Sequence, residues 1–357
     1  MAPAPLALPA IHLPVPPPGA SVHSALTLKV PDTKGSYTIP YIQSSGNLSV
    51  RLQFDLTGPQ RCHLRLWLGE RVMGTSTAVP TRSRVQFGWL KPGEYAIELT
   101  ALDSDGAPLG AARYERLGVG TVICALGDSI TEGYHGYWFW RDDLNLRGDM
   151  FPPEAVSRDG RNFPQYAPTT SCHRPEVNCF QSWMTDLNDL LAERWQQPVF
   201  IANEGWGGLT SGAYLGMMRT DKGWRERMAL LRPTVWLIHL GVNDERYDVT
   251  PVEFAANIEA IADLLTNDCG AQPSRILIAR PSYDYAGAYA ETERAYIAQL
   301  DRLIARRGLA RGPDFFAAYA GDRARWYGDD PVHPNVEGMA YMAQLWADAL
   351  TDAFPRE

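Results

Sequence analysis

Val122-Ile123-Cys124-Ala125-Leu126 is an unbroken apolar run that stops at Gly127. A strand with one wet face alternates apolar and polar residues, so a run without alternation implies burial on both faces. Similar runs recur at Val199-Phe200-Ile201-Ala202, Val235-Trp236-Leu237-Ile238-His239-Leu240 and Ile276-Leu277-Ile278-Ala279. Between them, apolar residues fall at helical spacing. Phe180, Trp183, Met184, Leu187, Leu190 and Leu191 form one stripe, and helices are expected near 223–232, 251–265 and 289–307. The last of these leads into a further apolar run, Phe315-Phe316-Ala317. Asn335 is placed to cap a final helix with Met339, Met342, Leu345, Trp346 and Ala349 on one face. Strands that alternate with helices build a parallel sheet covered on both sides. Ligands of such sheets bind beyond the carboxyl ends of the strands.

Residues 25–117 follow another period. Leu48, Val50, Leu52, Phe54 and Leu56 alternate with Ser49, Arg51, Gln53 and Asp55. Leu64, Leu66 and Leu68 repeat the alternation, as do Tyr95, Ile97, Leu99 and Ala101. Turn signals at Gly58-Pro59, Pro92-Gly93 and Asp105-Gly106 separate these short strands, a pattern that indicates a sandwich. Leu90-Lys91-Pro92-Gly93-Glu94-Tyr95 resembles the turn-plus-tyrosine strand entry of immunoglobulin-like and fibronectin-like domains. Such a domain serves either as a carbohydrate-binding module or as a structural neighbour. Residues 1–20 are Pro-rich and are expected to form an extended or disordered tail. They lack the basic and apolar regions of a secretory leader, which favours the cytoplasm. The expected organisation is therefore a tail over 1–20, a β-sandwich over 21–118 and an α/β domain over 119–357.

The charge balance, 33 − 41 = −8, argues against nucleic acid or an anionic membrane as partner. No apolar run reaches the roughly 18 residues of a membrane helix. Five cysteines are too few for a disulfide scaffold, and CxxC, HExxH and CxxCH clusters are absent, so no metal or other cofactor is expected.

The residues just after the buried runs carry the chemistry. They are Gly127-Asp128-Ser129, Asn203-Glu204-Gly205-Trp206-Gly207-Gly208 and Gly241-Val242-Asn243-Asp244, with Asp330-Pro331-Val332-His333 near the end of the sequence. Together they supply what acyl transfer needs. A serine hydroxyl requires a base to take its proton. An imidazole serves as that base once a carboxylate fixes its tautomer. A developing oxyanion requires preorganised N–H donors.

In this order, these four blocks resemble those of the SGNH hydrolase (GDSL esterase/lipase) superfamily, over roughly residues 119–353. The resemblance implies a flavodoxin-like three-layer α/β/α domain and a serine esterase. It maps the nucleophile onto Ser129, the base onto His333 and the third triad member onto Asp330. Its oxyanion donors map onto the Ser129 N–H, the Gly208 N–H and the Asn243 side chain, with Gly207 the alternative glycine. The sandwich-plus-hydrolase arrangement resembles carbohydrate esterases.

This sequence departs from the family pattern at Ile130, where leucine is usual, and in a long insert over about 134–179. The insert holds Tyr134, Tyr137, Trp138, Phe139, Trp140 and Phe151, so it reads as a substrate wall over Ser129 or as a surface against the sandwich. Trp138, Trp140 and Trp206 are candidate substrate contacts. His135 and His173 lie in the insert as substrate contacts or surface residues. Cys172 and Cys179 are compatible with a short-loop disulfide or with two reduced thiols. Cys124 and His239 read as core residues and Asp128 as a shaper of the nucleophile turn, while Asp244 and Glu245 have no assigned role. The expected substrate is a small-molecule or carbohydrate ester, foremost an O-acetyl group on a sugar. A lipase or thioesterase for longer chains is the alternative within the same chemistry. An inactive carbohydrate-binding protein is the alternative of another class, and the complete set Ser129, Asn243, Asp330 and His333 argues against it.

Overall fold

Five strands carry the part of the chain from residue 121 onward: β1 (Thr121–Gly127), β2 (Val199–Gly205), β3 (Val235–His239), β4 (Ile276–Arg280) and β5 (Ala310–Asp314). They are seen in a computed structural model that describes residues 10–31, 36–43, 46–54, 59–133, 169–170, 178–179, 183–328 and 331–355. All pairings are parallel, in the order β2-β1-β3-β4-β5. This is the order of flavodoxin-like sheets, whose direction of winding reverses between β1 and β3. At such a reversal the connections leave on opposite faces and open a crevice at the carboxyl ends.

Strand burial explains the unbroken apolar runs. Ile123, Ala125, Val199, Ile201, Val235, Leu237, Leu277 and Ala279 share one core with α2 (Trp183–Trp195), α8 (Phe315–Ala320) and α10 (Val336–Ala353). Trp183 and Trp346 stack at 5.8 Å across the first and last of these helices. On the other face, Cys124 meets the Met228 thioether of α4 (Lys222–Leu231) at 3.7 Å. Phe254 of α6 (Pro251–Cys269) stacks on Tyr296 of α7 (Ala290–Arg307) at 4.3 Å. Sequence signals set the helix ends. Thr250 caps α6 through the Glu253 N–H with Pro251 in the first turn, Gly270 ends α6 in a left-handed turn, and Asn335 caps α10 through the Gly338 N–H.

One local expectation is corrected here. Phe315-Phe316-Ala317 is the start of helix α8, not a strand, because Asp314 accepts the Ala317 N–H and caps it; the strand is the less apolar Ala310–Asp314 before it. Helix α3 (Ser211–Thr220) buries Tyr214, Leu215 and Met218 on one face.

By compactness the chain divides into Met1–Lys29 with Thr38–Gly120, and Val30–Tyr37 with Thr121–Glu357. The first unit is rich in sheet. Ile11–Pro14, Leu48–Gln53 and Arg84–Phe87 form one sheet. The other runs Ser21–Ala25, Pro108–Val119, Gly93–Leu102, Arg61–Leu68 and Arg71–Ala78, with Ile42–Gln43 also on Pro108–Val119. Leu48, Val50, Leu64, Leu66, Ile97 and Leu99, the inward members of the period-two pattern, meet in one core. The Tyr95 hydroxyl donates to the Lys91 carbonyl at 2.7 Å. The Pro-rich segment is not tail throughout. Ile11–Pro14 pairs in parallel with Leu48–Gln53 and buries Ile11 and Leu13, because the alternation Ile-His-Leu-Pro gives it one apolar face.

Candidate active site

Strand β1 ends at Gly127, and Asp128 turns the chain into the four-residue helix α1 (Ser129–Glu132). The Asp128 carboxylate accepts the Ile130 N–H at 3.0 Å, and Gly133 closes the turn in a left-handed conformation. Ser129 is therefore held at a helix start, where backbone N–H groups lack helical partners. Asp128 is fully buried. Burial pushes its carboxyl up to about 7, partly offset by the Ile130 N–H and the nearby His333. A group that caps the turn in this way shapes the position of Ser129.

His333 lies between α9 (Arg323–Trp326) and α10. Its segment is pinned from both sides. Tyr327 bridges to Pro334, and Asn335 donates its backbone N–H to Trp326 and its side-chain amide to the Arg325 carbonyl, both at 2.8 Å. This brings His333 Nε2 to 2.8 Å from Ser129 Oγ, across 204 positions of sequence.

The loop after β2 closes a second side. The Trp206 N–H donates to the Gly127 carbonyl at 2.9 Å, so this loop sits against the Ser129 turn. The Gly207 N–H donates to Glu132 Oε2 at 2.6 Å. Asn203 Nδ2 donates to the Glu132 carbonyl at 3.1 Å, and Asn203 Oδ1 accepts the Gly205 N–H at 2.9 Å. A Cβ at Gly205 would run into the Glu132 backbone, so only glycine fits there. Gly208 has φ +81° and is exposed. Asn243 lies in α5 (Val242–Arg246) after β3, and its Nδ2 donates to the Leu209 carbonyl at 3.1 Å. An amide nitrogen carries two hydrogens, so one N–H of Asn243 remains beyond this bond.

The GDSL-like lipase/acylhydrolase family model matches residues 125–341, more than half of the chain. The chain belongs to this family. It is thus a carboxylic ester hydrolase with a mixed α/β fold. Among solved structures it is similar to the lipase/acylhydrolase from Enterococcus faecalis, with 15% identity over 66% of this chain and 99% of that one and a TM-score of 0.45. It is similar to an acetylxylan esterase from Geobacillus stearothermophilus, with 17% identity over 67% and 95% and a TM-score of 0.43. A carbohydrate acetylesterase from Xanthomonas citri gives 12% identity over 94% and 73%, with a TM-score of 0.49. A search of curated proteins gives no match.

Within this GDSL-family site the structure brings together Ser129, His333, Asn243 and the glycine loop. Trp206 is half-buried on that loop. Asp330, Trp138, Trp140, His135, His173 and Cys172 lie outside the described residues, as does the side chain of Cys179. Two residues without an assigned role gain one, and His239 is in the core as its sequence context indicated. Glu132 braces the glycine loop through two bonds. Its position three after Ser129 is the only trace of this in the sequence. Asp244 accepts the Ser211 N–H and hydroxyl and so ties α3 to α5. His239 is a buried core residue, 5.0 Å edge-on from Phe315 and 3.2 Å from the Ser282 hydroxyl. Burial lowers its imidazole to about 3.

Among the described residues, one group of acidic side chains converges away from any spacing motif. Glu245, Asp284 and Glu293 place carboxylate oxygens within 4.8 Å of one another. They come from α5, from the turn after β4 and from α7, too far apart in sequence to form a spacing motif.

Proposed function

We propose that the chain is a serine esterase that removes small acyl groups, foremost O-acetyl groups from carbohydrates. Ser129 Oγ attacks the ester carbonyl while His333 Nε2 takes its proton. The tetrahedral oxyanion is met by the Ser129 N–H, the Gly208 N–H and the Asn243 amide. The His333 imidazolium then protonates the departing sugar oxygen, which leaves as the alcohol; water attacks the resulting acyl-enzyme by the same steps, with His333 again the base. Asp330 is assigned to hold the His333 tautomer. The reading rests on the 2.8 Å contact between Ser129 Oγ and His333 Nε2. Commitment of the Gly207 N–H to Glu132 favours Gly208 as the glycine donor.

The preference for acetyl rests on the bulky side chains that follow Ser129 closely in sequence, Trp138, Phe139 and Trp140. They would close the acyl side of the site and present flat faces to a sugar, and Trp206 on the glycine loop would add another. We assign residues up to about 118 to an immunoglobulin-like sandwich. The Tyr95 bond to the carbonyl of Lys91, four residues upstream, supports this.

A series of p-nitrophenyl esters from acetate to octanoate, run beside acetylated xylan and acetylated monosaccharides, tests the substrate. An open apolar trench would reward each methylene with about 0.8 kcal/mol, roughly fourfold in kcat/KM. The proposal expects kcat/KM to fall beyond butyrate, because a closed pocket penalises added volume. Efficiency rising through octanoate would reject it in favour of a lipase or thioesterase.

A further inference from the structure

The carboxylates of Glu245, Asp284 and Glu293 converge where α5, the turn after β4 and α7 meet. Each residue is at most 1% exposed. None of their six oxygens has a hydrogen-bond partner, and all six are shielded from water. Buried polar groups are normally satisfied, and buried charges are normally paired or bound to metal. Here three acidic side chains, each unpartnered, share one dry space with oxygens within 4.8 Å of one another. Such crowding is unfavourable unless something positive sits among them or protons neutralise them. Burial raises the proton affinity of all three; Asp284 and Glu293 add repulsion at Glu245 and Asp284 adds it at Glu293, while at Asp284 the Glu245 contact and the Arg323 guanidinium oppose the rise.

We propose that Glu245, Asp284 and Glu293 form a calcium-type cation site that clamps α5, the turn after β4 and α7 together. The donor set is oxygen only, with neither sulfur nor imidazole in it, so zinc and the softer metals are poorly matched. Calcium takes six to eight oxygens at about 2.3–2.6 Å and accepts carboxylates in one- or two-oxygen mode, as a shielded all-protein set requires. Magnesium is held at about 2.0–2.1 Å and gives up its waters reluctantly, which suits a wetter site. The clamp would act on architecture. Glu245 shares α5 with Asn243, so a cation there fixes the helix that carries this amide without touching the substrate.

The full chain is stripped with a chelator and checked by elemental analysis. It is then titrated calorimetrically with calcium chloride and, separately, magnesium chloride, and thermal unfolding is followed with and without each ion. The expected result is one calcium per chain, binding at least tenfold tighter than magnesium, with a Tm that rises as free calcium rises. Glu293→Gln and Asp284→Asn should each weaken calcium binding at least tenfold. Three results would overturn the proposal: no binding of either ion to the folded wild-type chain, magnesium equal to or tighter than calcium, or undiminished calcium affinity in both variants. A Tm indifferent to calcium and raised by Asp284→Asn would identify a proton-sharing cluster instead.

Discussion

Arg227→Met probes the ion pair at the root of the glycine loop. Arg227 of α4 donates to Glu204 of β2 through Nε at 2.8 Å and Nη2 at 2.7 Å, and the two side chains are 0% and 1% exposed. Asp221 lies 3.6 Å from Nη2 and adds a weaker contact. Glu204 directly precedes Gly205, and its own carbonyl accepts the Tyr214 hydroxyl at 2.6 Å, so the pair fixes the end of β2 just before the loop leaves it. Methionine keeps much of the packing volume and removes the charge. It leaves the Glu204 carboxylate buried without its main counter-charge, and breaking a buried pair from one side costs about 3–5 kcal/mol. At roughly 2–4 °C per kcal/mol for a domain of this size, Tm should fall by about 6–20 °C. Adding Glu204→Gln removes the stranded charge and should restore about half of the loss. Urea unfolding of wild type, both single variants and the double variant closes the cycle, with an expected coupling of about 2 kcal/mol or more. A single-variant loss below about 1 kcal/mol, or additivity within about 0.5 kcal/mol, would refute the reasoning.

Two further outcomes follow from the same geometry. His239 is held neutral with a folded value of about 3, below the ordinary 6.5, so the unfolded chain binds a proton there first as pH falls. Its contribution is intact above about pH 6.5 and is lost toward pH 3 at up to about 1.4 kcal/mol per pH unit; denaturant midpoints from pH 7 to pH 4 should fall less steeply in His239→Gln, and equal slopes would contradict this. Asn243→Ala should lower kcat by about 10²–10³ while moving KM little, since an oxyanion donor acts on the transition state; steady-state kinetics showing a change confined to KM would place the amide on bound substrate instead.

The parallel half was legible because strands buried on both faces must be apolar throughout. Val122–Leu126 and Val235–Leu240 have no other comfortable home, and the residues after them had to lie at one sheet edge. Strand β5 escaped because Ala310–Asp314 includes Arg311 and Asp314 and is only partly buried. The more apolar segment after it, Phe315–Ala320, turned out to be a capped helix. Ile11–Pro14 was hidden by its prolines, whose composition suggests a tail even where alternate residues are buried. At the site, Ser129 and His333 were legible as types at strand and loop ends. Glu132 was not, because its role is a bond to a backbone N–H 75 positions away. The Glu245, Asp284 and Glu293 set was invisible for the same reason: topology alone brings together three carboxylates that no local spacing relates.

The most direct test of the account is mass-spectrometric mapping after treatment with a fluorophosphonate, which traps an activated serine. The account expects one adduct per chain, on the peptide that carries Ser129. It expects labelling to vanish in a folded Ser129→Ala variant whose ester hydrolysis has dropped to the residual of about 10³–10⁴ over water left by binding and oxyanion stabilisation. It also expects labelling to slow sharply in His333→Ala, where the proton acceptor 2.8 Å from the hydroxyl is gone. An adduct on another residue, or wild-type turnover in folded Ser129→Ala, would contradict it.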